Sequence, residues 1–184
     1  MPETSGIWSL HEAQMHHRYD PHLATAIADI LDKNELIYDV GCGLGKYCVA
    51  LTKKGFNVIG FEGTEGMTEF GEYENVVECD FTKVAHLPSF AQTICLEVGE
   101  HIPPRFEKHF IDLIARSTTT RAIISWAIPG QGGLGHLNER PNSAISYQMH
   151  YNGFYLNPEL TISLRKAAQL PWFANTLMVF DHYE

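Results

Sequence analysis

Apolar positions along the chain follow two alternating rhythms, and the alternation predicts an architecture. Short, nearly continuous apolar runs occupy 35–40 (ELIYDV), 57–62 (NVIGFE), 75–80 (NVVECD), 92–98 (QTICLEV), 121–128 (RAIISWAI) and 175–183 (NTLMVFDHY). Runs of this length bounded by turn formers read as strands, and runs without a polar face read as strands covered on both sides. Between them the spacing turns helical. In 105–117, Phe106, Phe110, Ile111 and Ile114 share one helical face. The segment 46–55 reads as a helix stopped by Gly55. The segment 157–170 opens with Asn157 as a cap and Pro158 in the first turn. Strands alternating with helices predict an α/β, doubly wound, mostly parallel sheet with helices on both faces.

Two stretches stand outside this rhythm. Residues 9–33 are mostly helical, divided at Pro21 with Asp20 as a cap, and predict a helical cover over 1–34 ahead of an α/β core over 35–184. Residues 129–155 carry little regular pattern. A long irregular stretch inside a compact domain is usually functional or mobile, so this one reads as a lid-like segment. Only one strand follows the last helix. The C-terminal edge of the sheet is therefore either reduced or completed by the irregular segment.

Composition narrows the class without changing this picture. A chain of 184 residues suits one domain with one core. No apolar run approaches the roughly 20 residues that span a bilayer, and the N-terminus lacks the charged-then-apolar order of a signal peptide. The expectation is a cytoplasmic protein with no membrane partner. Cys42, Cys48, Cys79 and Cys95 form no CxxC pair and read as reduced thiols. A net charge of −9 with no Lys/Arg cluster disfavours nucleic acid as a partner. His11, His16, His17 and His22 show no ligand spacing with acids, so no metal is expected.

The chemistry begins at YDVGCGLGKY, where a strand runs through Asp39 into Gly41, Cys42, Gly43, Leu44 and Gly45 before a helix. Glycines permit a tight turn and let a ligand touch backbone, and the following helix offers free N–H groups. Glu62 ends the second strand, where a carboxylate can accept hydrogen bonds from both ribose hydroxyls. Asp80 ends the third, and with Phe81 it offers an acceptor and an apolar surface to an adenine ring. Three successive strand ends thus form one nucleoside-binding crest. A dinucleotide enzyme is the first competitor. Its fingerprint wants Gly or Ala where this chain has Lys46.

In this order, YDVGCGLGKY, VIGFEGTEGM, ECDF and ICLEVGEHIP resemble the motifs of the class I S-adenosylmethionine-dependent methyltransferases of small-molecule type, which have a Rossmann-like fold. The resemblance covers roughly a third of the chain. It implies S-adenosyl-L-methionine as donor and a small-molecule acceptor, with oligomeric state left open. Asp39 and the backbone of Gly41, Cys42, Gly43 and Gly45 would hold the methionine part. Glu62 would bind the ribose, Gly63 and Met67 would flank the adenosine, and Asp80 with Phe81 would bind adenine. Glu97 would lie near the methyl group. In such relatives an N-terminal helix closes over the donor, where Tyr19 or Gln14 would reach its carboxylate and Trp8 would cover the acceptor. GTEG after Glu62 departs from the commoner Asp-x-Ser run.

Methyl transfer from a sulfonium needs alignment first, and a base only if the acceptor must lose a proton. Glu100 and His101 follow the fourth strand, where an acceptor would approach. His101 reads as a base or as a loop-holding side chain. In PGQGGLGHLNERPN, Gln131, His136, Asn138 and Arg140 sit with Glu139 among four glycines at the same rim. They read as acceptor contacts, with His136 a second candidate base and Arg140 a partner for an acceptor carboxylate or phosphate. The rival reading is a non-catalytic donor-binding module or regulatory subunit.

Overall fold

The computed structural model describes residues 6–89 and 91–183. Residues 1–5 of the expected N-terminal cover lie outside them. Seven strands form one sheet in the order β3-β2-β1-β4-β5-β7-β6. They are β1 (Leu36–Val40), β2 (Asn57–Glu62), β3 (Val76–Glu78), β4 (Ala91–Leu96), β5 (Thr118–Ser125), β6 (Phe154–Leu156) and β7 (Met178–His182). The first five are parallel, and β7 and β6 complete the sheet antiparallel.

Successive strand residues point to opposite faces, which divides the core in two. Ile37, Val58, Ile94, Ile123 and Val179 meet Leu23 and Ile27 of α2 (Pro21–Ile30), Leu51 of α3 (Lys46–Lys53) and Leu164 of α7 (Pro158–Ala167). Tyr38, Val40, Phe61, Cys95 and Ile124 meet Phe110, Ile111 and Ile114 of α5 (Glu107–Ser117) and Met149 of α6 (Asn142–Tyr151). The α5 face is the one its apolar spacing predicts. Burying one such side chain stabilises by about 1.5–3 kcal/mol.

In front of the sheet, α1 (Leu10–His16) begins with a reciprocal cap between Ser9 and Glu12. Asp20 caps α2 as expected and also reaches across the molecule. Its Oδ1 accepts from the His22 and Leu23 amides, and its Oδ2 accepts from those of Gln169 and Leu170. One carboxylate thereby fastens the N-terminal cover to the segment after α7.

Of the two alternatives for the C-terminal edge the second holds, because β6, which begins in the irregular segment, pairs with β7 over Phe154 to Leu156. Other sequence expectations are corrected. The segment 129–155 is not irregular throughout: it contains α6 and β6. Helix α6 escapes pattern reading because it buries only Ile145 and Met149, while Tyr147 and Tyr151 stay exposed. Strand β6 is only three residues long and follows Gly153, whose φ is 92°. The last predicted strand starts late, because its first residues lie in a short helix α8 (Phe173–Thr176). β4 ends at Leu96, and Glu97 beyond it turns away with a φ of 55°.

Candidate active site

The carboxyl ends of β1, β2 and β4 meet above the sheet. Gly41 and Cys42 both donate backbone N–H groups to the Phe61 carbonyl, at 2.8 and 3.0 Å. Gly41, Gly43 and Gly45 have φ values of 77°, 53° and 76°. A Cβ on Gly41 would stand 2.3 Å from the Val98 side chain, and one on Gly43 would stand 2.5 Å from the His17 ring. Conformation and close approach both require glycine here.

Three acids near this turn have different surroundings. Glu62 accepts from the Gly43 amide through Oε2 at 2.7 Å and from the Thr64 amide through Oε1 at 2.9 Å. It ties the second strand end to the glycine turn. Asp39 is buried, with the Cys48 thiol donating to its Oδ2 at 3.2 Å. Burial pushes its carboxyl up to about 7, against the Cys48 hydrogen bond and with the Glu62 charge adding to the rise. Asp80 accepts from the Thr82 amide and hydroxyl and pairs with Lys83 at 2.9 Å. Burial raises its carboxyl, but these partners outweigh it and hold the group below its ordinary value.

Two adjoining cavities open between these groups and the N-terminal cover. One, of about 100 Å³, is lined by Glu62, Gly63, Asp80 and Phe81. The other, of about 300 Å³, is lined by Asp39, Cys42, Tyr47, Glu100, Gln131 and His136. Trp8, His17, Gly41, Glu97 and His101 border both. Glu62, Asp80 and Phe81 thus gather at one end and Asp39, Glu100 and His136 at the other.

Solved structures share this arrangement of strands and helices. Magnesium protoporphyrin IX methyltransferase of Synechocystis, crystallised with bound SAH, superposes with a TM-score of 0.67 at 18% identity, covering 89% of this chain and 84% of that one. A TehB-like SAM-dependent methyltransferase of Corynebacterium glutamicum gives 0.66 at 15% identity over 95% and 93%. The 1,6-didemethyltoxoflavin-N1-methyltransferase of Burkholderia thailandensis gives 0.59 at 15% identity over 89% and 77%. No family model and no curated protein matches the sequence. The chain has the class I S-adenosylmethionine-dependent methyltransferase fold. Identities this low establish the fold and leave the chemistry to the site.

At the rim of this methyltransferase fold, Glu97 donates its amide to Ser125 Oγ at 2.9 Å, and its Oε2 accepts from Gln131 at 2.7 Å. The 3₁₀ turn Gly99–His101 then carries Glu100 inward. Glu100 is fully buried, and neither of its oxygens has a partner among the described residues. Burial first and the Glu97 charge second push the Glu100 carboxyl well above the usual range. His101 Nδ1 lies 3.1 Å from the Gly135 carbonyl, and His136 Nδ1 lies 3.1 Å from Glu139 Oε1. The two rings stand edge to face at 5.1 Å, with Trp8 edge to face on His101 at 5.0 Å. Burial lowers His101 to about 4, against the Gly135 hydrogen bond.

Other candidate residues are placed elsewhere. Met67, at the start of the short α4 (Met67–Phe70), is fully buried with Ala13 and Leu44 and lines neither cavity. Gly45 faces Tyr73. Tyr19 packs edge to face on Tyr47 at 5.0 Å, one ring removed from the second cavity, and Gln14 is exposed. Asn138 Nδ2 and Arg140 Nε both donate to Glu107 Oε2, at 2.9 and 2.5 Å, and Trp126 Nε1 donates to the Asn138 carbonyl. Asn138 and Arg140 therefore fasten the loop to α5 instead of facing the cavities.

Two residues that the sequence reading named without a specific role gain one. His17 covers Gly43, and its Nδ1 is buried without a partner among the described residues. Burial, with Lys46 adding, lowers it to about 4, so the ring is neutral near pH 7. Glu139 accepts from the amides of Gly130 and Gly132 at 2.7 Å each while facing His136. The three-residue spacing of His136 and Glu139 was the available signal.

Proposed function

We propose that the chain transfers a methyl group from S-adenosyl-L-methionine to a small-molecule acceptor. The observation that carries this reading is the pair of adjoining cavities, with Glu62, Asp80 and Phe81 at one end and Asp39, Glu97 and the His101/His136 rim at the other. Glu62 is positioned to exchange one amide contact for the ribose hydroxyls. Phe81 offers the adenine an apolar wall, and Asp80 an acceptor. Asp39 and the glycine-turn backbone face the amino-acid part. The sulfonium methyl then points toward Glu97, and the acceptor approaches through the larger cavity. The acceptor atom forms its bond to the methyl carbon as the C–S bond breaks and sulfur keeps the electron pair.

Alignment and water exclusion carry most of such a step, up to roughly 7–11 kcal/mol. Trp8 and His17 supply the cover. A single catalytic domain acting in the cytoplasm on a small molecule, with neither nucleic acid nor membrane as partner, agrees with the net charge of −9 and with the absence of a long apolar helix among the described residues.

Calorimetric titration with S-adenosylmethionine, S-adenosylhomocysteine and NAD tests the reading. The first two should bind and NAD should not, and Glu62→Ala should remove most of the affinity. Failure of both sulfur ligands to bind would refute the proposal. Binding without turnover across an acceptor panel would favour a donor-binding module.

A further inference from the structure

The three groups that close the acceptor end form a ligand set that methyl transfer from a sulfonium does not itself require. Glu100, His101 and His136 bring one ligand-type atom each to within 4.8 Å of one another. They are not the N-terminal histidines whose spacing argued against a metal. Two come from the turn after β4, and the third comes from the loop between β5 and α6. Only the folded chain assembles them.

Three independent details prepare the set for a cation. Glu100 is fully buried beside Glu97, and neither of its carboxylate oxygens has a hydrogen-bond partner of ordinary geometry among the described residues, a costly arrangement for a carboxylate. The Gly135 carbonyl faces Nδ1 of His101 and Glu139 faces Nδ1 of His136. Each acceptor assigns the ring proton to Nδ1 and leaves the Nε2 lone pair free. This is how outer-sphere carbonyls and carboxylates orient metal-binding imidazoles. Glu139 is itself fixed by the Gly130 and Gly132 amides. Gly133 completes the fit, because a Cβ there would lie 2.2 Å from His136 Nε2.

We propose that Glu100, His101 and His136 bind a divalent first-row transition metal at the acceptor end of the larger cavity. Two imidazoles and one carboxylate suit Zn²⁺, Fe²⁺, Mn²⁺ or Co²⁺ over Mg²⁺ or Ca²⁺, and they leave coordination positions open. The site deepens the methyl-transfer reading by naming an acceptor class, a small molecule with a hydroxyl that ligates the metal. Bound there, the hydroxyl gives its proton to solvent. Its oxygen then forms the C–O bond to the methyl as the C–S bond breaks and sulfur keeps the pair.

The test is titration of metal-stripped protein with Co²⁺ in the absence of oxygen, without donor or acceptor. One Co²⁺ per chain should bind with visible ligand-field absorption, and Zn²⁺ should displace it. Glu100→Gln, His101→Ala and His136→Ala should each weaken binding at least tenfold. Glu139→Gln, which positions His136 without touching the metal, should weaken it by about tenfold and shift the absorption. His22→Ala should change nothing. No stoichiometric binding, or binding indifferent to these substitutions, would overturn the proposal. Should a variant fail to fold, the wild type still answers. Zn²⁺ must move the ring-nitrogen resonances of His101 and His136 and leave those of His22 and His182 in place, and an unselective shift overturns the assignment. Donor titration of the same samples separates the two readings. Lost metal binding with intact donor binding refutes only the metal, and the converse refutes only methyl transfer.

Discussion

Asp39 shows how much one side chain depends on its surroundings. Burial raises its carboxyl to about 7, the Cys48 thiol opposes the rise and the Glu62 charge adds to it. The native protein therefore holds a proton between about pH 4 and 7 that the unfolded chain releases, so stability falls as pH rises through that window and levels off above it. The span corresponds to about 4 kcal/mol. His17 and His101, both lowered to about 4, act in the opposite direction below their ordinary value near 6.5. They are common to wild type and Asp39→Asn, so their effect cancels in the difference. Urea unfolding should show Asp39→Asn gaining on wild type by a few kcal/mol between pH 4 and 7, and a constant gap would refute the assignment. In wild type, affinity for the donor, whose amino-acid end carries an ammonium group for Asp39 to attract, should rise from pH 6 to 8. The sequence revealed Asp39 as an acid before a glycine turn. It did not reveal the burial that sets its charge state.

The elements most exposed to a single change are the two that carry the rim. The turn Gly99–His101 packs so closely on Trp126 that a Cβ on Gly99 would lie 2.1 Å from its ring. Trp126 is buried, with its Nε1 bound to the Asn138 carbonyl at 2.7 Å, and cannot yield. Gly99→Ala should cost about 1–3 kcal/mol by overpacking. Thermal denaturation should then show a Tm lower by several degrees, at about 2–4 °C per kcal/mol for a chain of this size. Because the turn carries Glu100 and His101, turnover should drop while donor affinity stays within about twofold; an unchanged Tm and turnover would dismiss the wedge. At this scale the long apolar runs and the α5 stripe were legible, because buried strands and one-sided helices write their period into the chain. α6 and β6 were not, since a helix with two buried residues and a three-residue strand leave too short a pattern to read.

Across the whole molecule, the first part of the N-terminal cover lies over the carboxyl ends of β1, β2 and β4, while α2 packs on one face of the sheet. Trp8 stands on His101, His17 lies on Gly43, and Asp20 fastens the cover to the segment after α7. Deleting residues 1–8 leaves the Ser9 cap and Asp20 in place. It should lower donor affinity about tenfold in calorimetry while shifting the Tm of the empty protein by no more than a few degrees. Unaltered affinity would remove the cover from the donor site. Saturating donor, at about a hundred times its Kd, should stabilise the intact protein by about 2.7 kcal/mol. What the sequence determined by itself was the alternation of strands and helices, the glycine turn and the series Asp39, Glu62 and Asp80 at successive strand ends. These follow from local period and from the fixed place of strand ends in a parallel sheet. What only the tertiary structure decided was the rim: Arg140 and Asn138 bound to Glu107, His17 drawn onto the glycines, and Glu100, His101 and His136 gathered at one point. Those groups come from segments joined by no shared period, and long-range packing alone fixes which side chains face the cavity.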